Sequence, residues 1–276
     1  MLTAASVLLC GCASSNEVPY ADRSEVSLAA LSLWKDFPAG SSPRPLVLAG
    51  PEIIDPTSGF RNGDDKLAYI NGQFTVASTL PDNVPTWHHQ PLITAAQALA
   101  DLRNTEPGTP PTSASLTITA ARLGTATFVT DRGEQSLPAW QFSFAGVRDL
   151  ASVLAIAPAN RWPKTPRPAA DTNDLAAGIG PSGDITIKFI GGSADPGPCQ
   201  TNYTADTVQS DSAVLVAIRE LPGSDTATQP ADAGDPPLAC NAIGYPRSVT
   251  VKLDPTLAGR VLIDSYGAPL PIRRTP

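Results

Sequence analysis

"SLTITAARLGTATFVTDRGEQSLPAWQFSF", residues 115–144, carries three short runs of alternating apolar and polar residues at 115–123, 126–131 and 137–144. Successive side chains of a strand face opposite ways, so such alternation marks strands with one face on a core. Asp131-Arg132-Gly133 supplies turn chemistry between the last two runs, which makes them a β-hairpin. Downstream, "SVLAIAP" (152–158) closes this unit. Upstream, "TAAQALADLR" (94–103) reads as a helix capped by Thr94, with Ala95, Leu99 and Leu102 facing inward. "KLAYINGQFTVAS" (66–78) sets Asn71-Gly72 between two strand-like runs. Asn-Gly accepts the positive φ angles of a type I′ turn, so a second β-hairpin is expected there. "RPLVLAG" (44–50) is a further strand candidate. "SEVSLAALSLWKDF" (24–37) reads as a helix with Ser24 as N-cap and Val26, Ala30, Leu33 and Trp34 on one face.

Downstream the composition shifts. Residues 159–183 are crowded with Pro, Gly and Ala and show no sustained period, which reads as a linker. Beyond it lie strand candidates in "DITIKFIG", "TADTVQSDSAVLVAIRE" (two strands or one bent strand), "SVTVKLD" and "GRVLIDS", with no clear helix. The expected fold is mainly β: an α+β domain with two short helices over 24–158, then a small all-β, sandwich-like domain over 184–276. The 29 prolines and 21 glycines among 276 residues favour many turns, while 42% hydrophobic residues supply a substantial core. A net charge of −7, with no basic cluster longer than Arg273-Arg274, argues against a nucleic-acid surface.

The N-terminus carries its own signal. "LTAASVLL" (2–9) is far shorter than the roughly 20 residues of a membrane-spanning helix and is followed by small and polar residues, as in a secretory leader. Leu9-Cys10-Gly11-Cys12 resembles a bacterial lipobox. That resemblance implies a leader over 1–12, a thioether-linked diacylglycerol on Cys12 and a polar tether over 13–23. Two or three acyl chains, at about 0.8 kcal/mol per buried methylene, anchor a protein stably. The pattern departs in one respect, since no Lys or Arg precedes the apolar run. With Cys10 and Cys12 so assigned, Cys199 and Cys240 remain as an even pair. Outside the cytosol such a pair is expected to be oxidised, restricting the unfolded chain by about 4 kcal/mol in the loop-entropy account.

"SLPAWQFSF" followed by "VLAIAP" is similar to a recurrent stretch of exported actinobacterial proteins. "DSAVLVAIRE…CNAIGYPRSVTVKLDPTLAGRVLIDSYGAPLP" resembles a cysteine-bearing C-terminal β module in lipoproteins of those bacteria. The resemblance implies a cell-envelope lipoprotein with β domains, of unassigned function, and carries no catalytic residue.

Trp87-His88-His89-Gln90 holds both histidines of the chain. Adjacent residues rarely share one ion, and no G-x-S-x-G provides a nucleophile for either histidine. The segment lies between Pro85 and Pro91 and is expected to be a loop. Asp55, Asn62, Asp64 and Asp65 offer oxygen ligands at close spacing, but not in a calcium-loop pattern, so a polar turn is the expectation. Trp162, within the linker, either anchors the seam between domains or presents an exposed binding residue. The sequence thus points to a lipid-anchored protein on the outer face of the cytoplasmic membrane. Its expected role is that of a non-enzymatic binding or accessory module, without cofactor or metal. Besides the membrane, its partner is expected to be an envelope protein, glycan or small ligand, met where the two domains join. Trp87, His88, His89 and Trp162 are the candidate binding surface. The alternative is an extracytoplasmic hydrolase using carboxylates or His88 and His89.

Overall fold

The computed structural model describes residues 28–104, 114–163, 175–180, 182–197, 199–221, 240, 243–253 and 256–274. Leu116–Thr130 (β5) and Gly133–Phe144 (β6) pair antiparallel along almost their whole length around the Asp131-Arg132 turn. The runs 115–123 and 126–131 are therefore one long strand. Gly124, which separates them in sequence, keeps the extended backbone, and the Gln141 side chain lies over it, within 2.7 Å of where a Cβ would sit.

β5 and β6 anchor a five-stranded sheet in the order β1-β7-β6-β5-β2, completed by Ile53–Ile54 (β1), Phe74–Val76 (β2) and Ala151–Leu154 (β7). Helix Ala95–Arg103 starts as the sequence indicates. Thr94 and Gln97 form a reciprocal capping box, and Ala95, Ala98, Leu99 and Leu102 are buried. Trp140 of β6 is buried and donates from Nε1 to the Ile93 carbonyl at 2.8 Å, tying the helix entry to the sheet.

The expected hairpin at Asn71-Gly72 is instead the end of a helix, Gly63–Ile70. A type I′ turn needs positive φ at both residues, whereas Asn71 has φ −85° and only Gly72 is left-handed, at +63°. The Gln73 N–H donates to the Ala68 carbonyl (2.9 Å) and the Gly72 N–H to Tyr69 (3.0 Å), the paired bonds of a Schellman C-cap. Asn62 caps the other end, its side chain accepting from the Asp65 N–H. Residues 74–76 then leave as β2, parallel to β5, rather than folding back on residues 66–70.

The C-terminal half is a two-layer β structure. One sheet orders Tyr203–Gln209 (β10), Ala213–Glu220 (β11) and Val261–Ile263 (β13) as β10-β11-β13. The other orders Ala176–Ile179 (β8), Ile185–Gly191 (β9), Tyr245–Val251 (β12) and Ile272–Arg274 (β14) as β12-β9-β8-β14. Residues 203–220 are thus two strands rather than one bent strand, and β8 falls inside the Pro/Gly-rich stretch 159–183. Ile185, Ile187, Val214, Val216, Leu262 and Ile272 pack between the sheets. The Cys199–Cys240 disulfide is formed, with a Cα–Cα distance of 5.6 Å.

The first half of β11, residues 213–216, is buried on both faces. Val214 and Val216 face the sandwich core, while Ala213 and Leu215 face Ala30, Trp34, Phe37 and Val47. Period-two alternation makes this split possible, and β13 repeats it with Leu262 on one side and Val261 and Ile263 on the other. Residues 28–32 are helical and lie on this outer face. The helix gives way to turns at 33–36, so Ala30 and Trp34 are buried as the sequence implies whereas Leu33 is 46% exposed. Ser24 and Val26 lie outside the described residues. Residues 44–50 make only isolated bridges, Leu46 to Arg161 and Leu48 to Thr130, instead of a full strand. No helix among the described residues is long and apolar enough to cross a membrane.

Candidate functional site

Trp162 sits at the junction of the two halves. Its ring stacks on Trp34 (centroids 6.1 Å apart, 21° between planes) and meets Phe37 edge-on at 5.1 Å. Trp34 and Phe37 come from the N-terminal segment, and the strands beneath them are β11 and β13. Trp34 is almost fully buried, so its Nε1–H needs an acceptor and finds the Gly267 carbonyl at 2.9 Å. The backbone of Trp162 is fixed too, its N–H donating to Leu46 at 2.8 Å. The Arg44 guanidinium covers Phe37 at 4.7 Å. Trp162 is half-buried, packed on Trp34 and Phe37 while also lining an open groove.

A groove of about 290 Å³ runs along this seam, floored by Trp34 and Val47 and walled by residues 48–52, Trp162, Pro163, Ala268 and Pro269. Among the described residues its one charged lining residue is Glu52, which pairs with Arg161 at 2.7 Å. Asp101 joins this group electrostatically: burial raises its pKa, Arg161 pulls it down, and Glu52 pushes it up. The groove therefore has apolar walls from Trp162, Pro163 and Pro269 and a polar end at Glu52.

Trp87, His88 and His89 lie elsewhere. Thr86–Trp87 (β3) and Gln90–Pro91 (β4) pair antiparallel, so the expected loop is a two-stranded hairpin with the histidines as its two-residue turn. Both occupy left-handed backbone, φ 48° and 63°, the angles a type I′ turn demands. Sequence reasoning missed this turn because His-His lacks the Asn-Gly or Asp-Gly signature of a type I′ hairpin, although histidine is among the residues enriched at positive φ. The His88 ring packs edge-on against Trp87 at 4.2 Å, and Trp87 is 38% exposed. None of these three residues lines the seam groove, so the candidate surface is divided between an exposed hairpin tip and a half-buried junction.

The carboxylates near the helix Gly63–Ile70 serve the fold. Asp65 is buried and bonded to Arg61 at 2.7 and 3.0 Å, which lowers its pKa against the opposing effect of burial. Asp55 accepts from the Tyr69 hydroxyl at 2.6 Å, and burial, aided by that bond, raises the tyrosine pKa. Among the described residues no group of three or more His, Cys, Asp or Glu is arranged to hold a metal ion. Neither a scan against protein-family models nor searches of curated proteins and of solved structures gave a match to this chain.

Proposed function

We propose that this chain is a lipid-anchored protein of the cell envelope that acts as a non-enzymatic binding or accessory module. Diacylglycerol on Cys12 holds it at the outer face of the cytoplasmic membrane. The partner, an envelope protein, glycan or small ligand, is taken in the groove between the two halves. The observation that supports this reading is the groove itself: a concavity at a domain junction, walled by Trp162 and prolines, with Glu52 already engaged by Arg161. The lipobox-like Leu9-Cys10-Gly11-Cys12 supports the anchor.

The test has two arms. Cell fractionation of the Cys12→Ala variant is expected to move the protein from membrane to soluble fractions; retention in the membrane with the leader removed overturns the anchor. A photo-crosslinking amino acid placed at Leu48 is expected to give one discrete adduct in intact cells, lost when Ala49→Arg obstructs the groove. Turnover of a cell-wall or ester substrate that vanishes in the His88→Ala/His89→Ala double variant would instead establish the hydrolase.

A further inference from the structure

A second concavity, of about 300 Å³, opens between the two sheets of the C-terminal half and shares no lining residue with the seam groove. The concavity is open to solvent, and its floor is the packed core of the sandwich, with Ile187, Val216 and Leu270 buried. Ile187 and Phe189 of β9 face Val216 and Ile218 of β11 across the opening, with Leu270 contributing a further apolar wall. Asp264 is the buried polar side chain of this lining. The mouth is different. Tyr203, Glu220 and Tyr266 stand there, and Tyr266 is 45% exposed.

The mouth has a fixed geometry. The Phe189 and Tyr203 rings meet at 81° with centroids 4.9 Å apart, forming two perpendicular aromatic walls. The Tyr203 hydroxyl accepts from the Gly192 N–H at 2.7 Å and donates to Glu220 Oε1 at 3.3 Å, so the carboxylate is held beside the rings. Arg247 lies over the Tyr203 ring at 5.1 Å, but it does not line the cavity. Its Nη1 and Nη2 donate to the Gly192 and Thr201 carbonyls at 2.6 and 2.9 Å, holding the support of Tyr203 in place. Among the described residues, the lining includes no Lys or Arg; its charged members are Glu220 and Asp264. Asp264 Oδ1 accepts from the Tyr266 and Ala268 N–H groups and so shapes the turn at the rim.

Aromatic faces and a carboxylate at the entrance of an apolar pocket attract a cation, and a negative lining repels an anion of the same shape. We propose that this cavity binds an organic ammonium ion with an apolar tail, the tail over Leu175 and Ile218 above a floor of Ile187, Val216 and Leu270, and the ammonium against Tyr203, Tyr266 and Glu220. The site is independent of the seam groove and of the lipid anchor.

Calorimetric titration of the purified chain in detergent-free buffer tests it, with n-octylammonium, n-octanoate and n-octanol as probes. Octylammonium is expected to saturate at one per chain and to bind at least about fivefold more tightly than octanoate. Glu220→Gln, a partly exposed substitution that spares the core, should weaken octylammonium by about fivefold and leave octanol unchanged. Ile218→Trp, which fills the cavity, should abolish both; circular dichroism establishes that this variant is folded. Ala49→Arg should change none of these affinities, which separates this site from the groove. Octanoate binding as tightly as octylammonium, an unaltered octylammonium affinity in Glu220→Gln, or no saturable binding at all overturns the proposal.

Discussion

Arg44 and Asp131 form an ion pair at the tip of the long hairpin: Arg44 Nη1 lies 3.3 Å from Asp131 Oδ1, and Nη2 is bonded to Oδ2. The same guanidinium donates from Nε to the Gly259 carbonyl at 2.9 Å, and Arg132, next in the turn, donates to the Ala258 and Arg260 carbonyls. The β5–β6 turn is thereby fastened to residues 258–260 of the C-terminal half. The Asp131 side chain is only 2% exposed, so removing its partner strands a charge.

Arg44→Met is accordingly expected to cost about 3 kcal/mol, the low end for a broken buried pair. Arg132 keeps a cationic nitrogen 3.6 Å from the carboxylate and limits the loss. Adding Asp131→Asn to Arg44→Met should recover part of it. Urea denaturation of the single and double variants measures both values.

Trp34→Ala should be more damaging than Trp162→Ala. Trp34 is 1% exposed and loses packing on two aromatic rings together with its bond to Gly267. A loss of about 3–5 kcal/mol is expected for Trp34 and less for the half-buried Trp162. Thermal unfolding followed by circular dichroism ranks the two.

Reducing the Cys199–Cys240 bond should loosen the C-terminal sandwich before the α+β half. The bridge closes a separation of 41 residues and is worth about 4 kcal/mol in the loop-entropy account. Hydrogen exchange should rise first in β10 and β12, while helix Ala95–Arg103 keeps its protection. The paired serine variant should reproduce the pattern without reductant.

The Asp65–Arg61 pair gives a pH signature. Bonding to Arg61 depresses the Asp65 pKa in the folded state, so the carboxylate binds a proton more readily when unfolded. Its stabilisation is then complete above the ordinary carboxylate value of about 3.9 and is lost as pH falls through the lowered folded value. Asp149, held down by Ser58, and Asp206, held down by Arg219, act in the same direction. The difference in Tm between the chain and its Asp65→Asn variant should be constant from neutral pH to about 4.5 and close below that. A difference that widens with acid would contradict the assignment.

What the sequence discloses here is what is local. Alternation along 115–144 marks β5 and β6 because period two is set by neighbouring residues, and Thr94 marks its helix because an N-cap bonds only three residues ahead. Asn71-Gly72 misleads because a left-handed glycine serves a hairpin and a helix end alike. The deciding signal is Asn62 with the acidic pair Asp64 and Asp65 in the first turn, ten residues upstream of Gly72. The His88-His89 turn carries no signal of its kind. Both concavities are illegible for another reason: the groove joins residues near 34, 48, 162 and 268, and the cavity joins β9, β10 and β11, so neither has a linear pattern. The disulfide was legible by counting, since with Cys10 and Cys12 set aside the one remaining pair has a single way to close.

β11 is a party wall. Each of its faces is somebody's interior, so neither tenant can leave without exposing the other. Melting the sandwich uncovers Leu215 beneath Trp34, and lifting the N-terminal segment uncovers the same strand from behind. The sandwich and the N-terminal segment packed on it are therefore expected to lose their structure in one step on heating, and a slip of one residue along β11 would exchange the contents of both rooms at once.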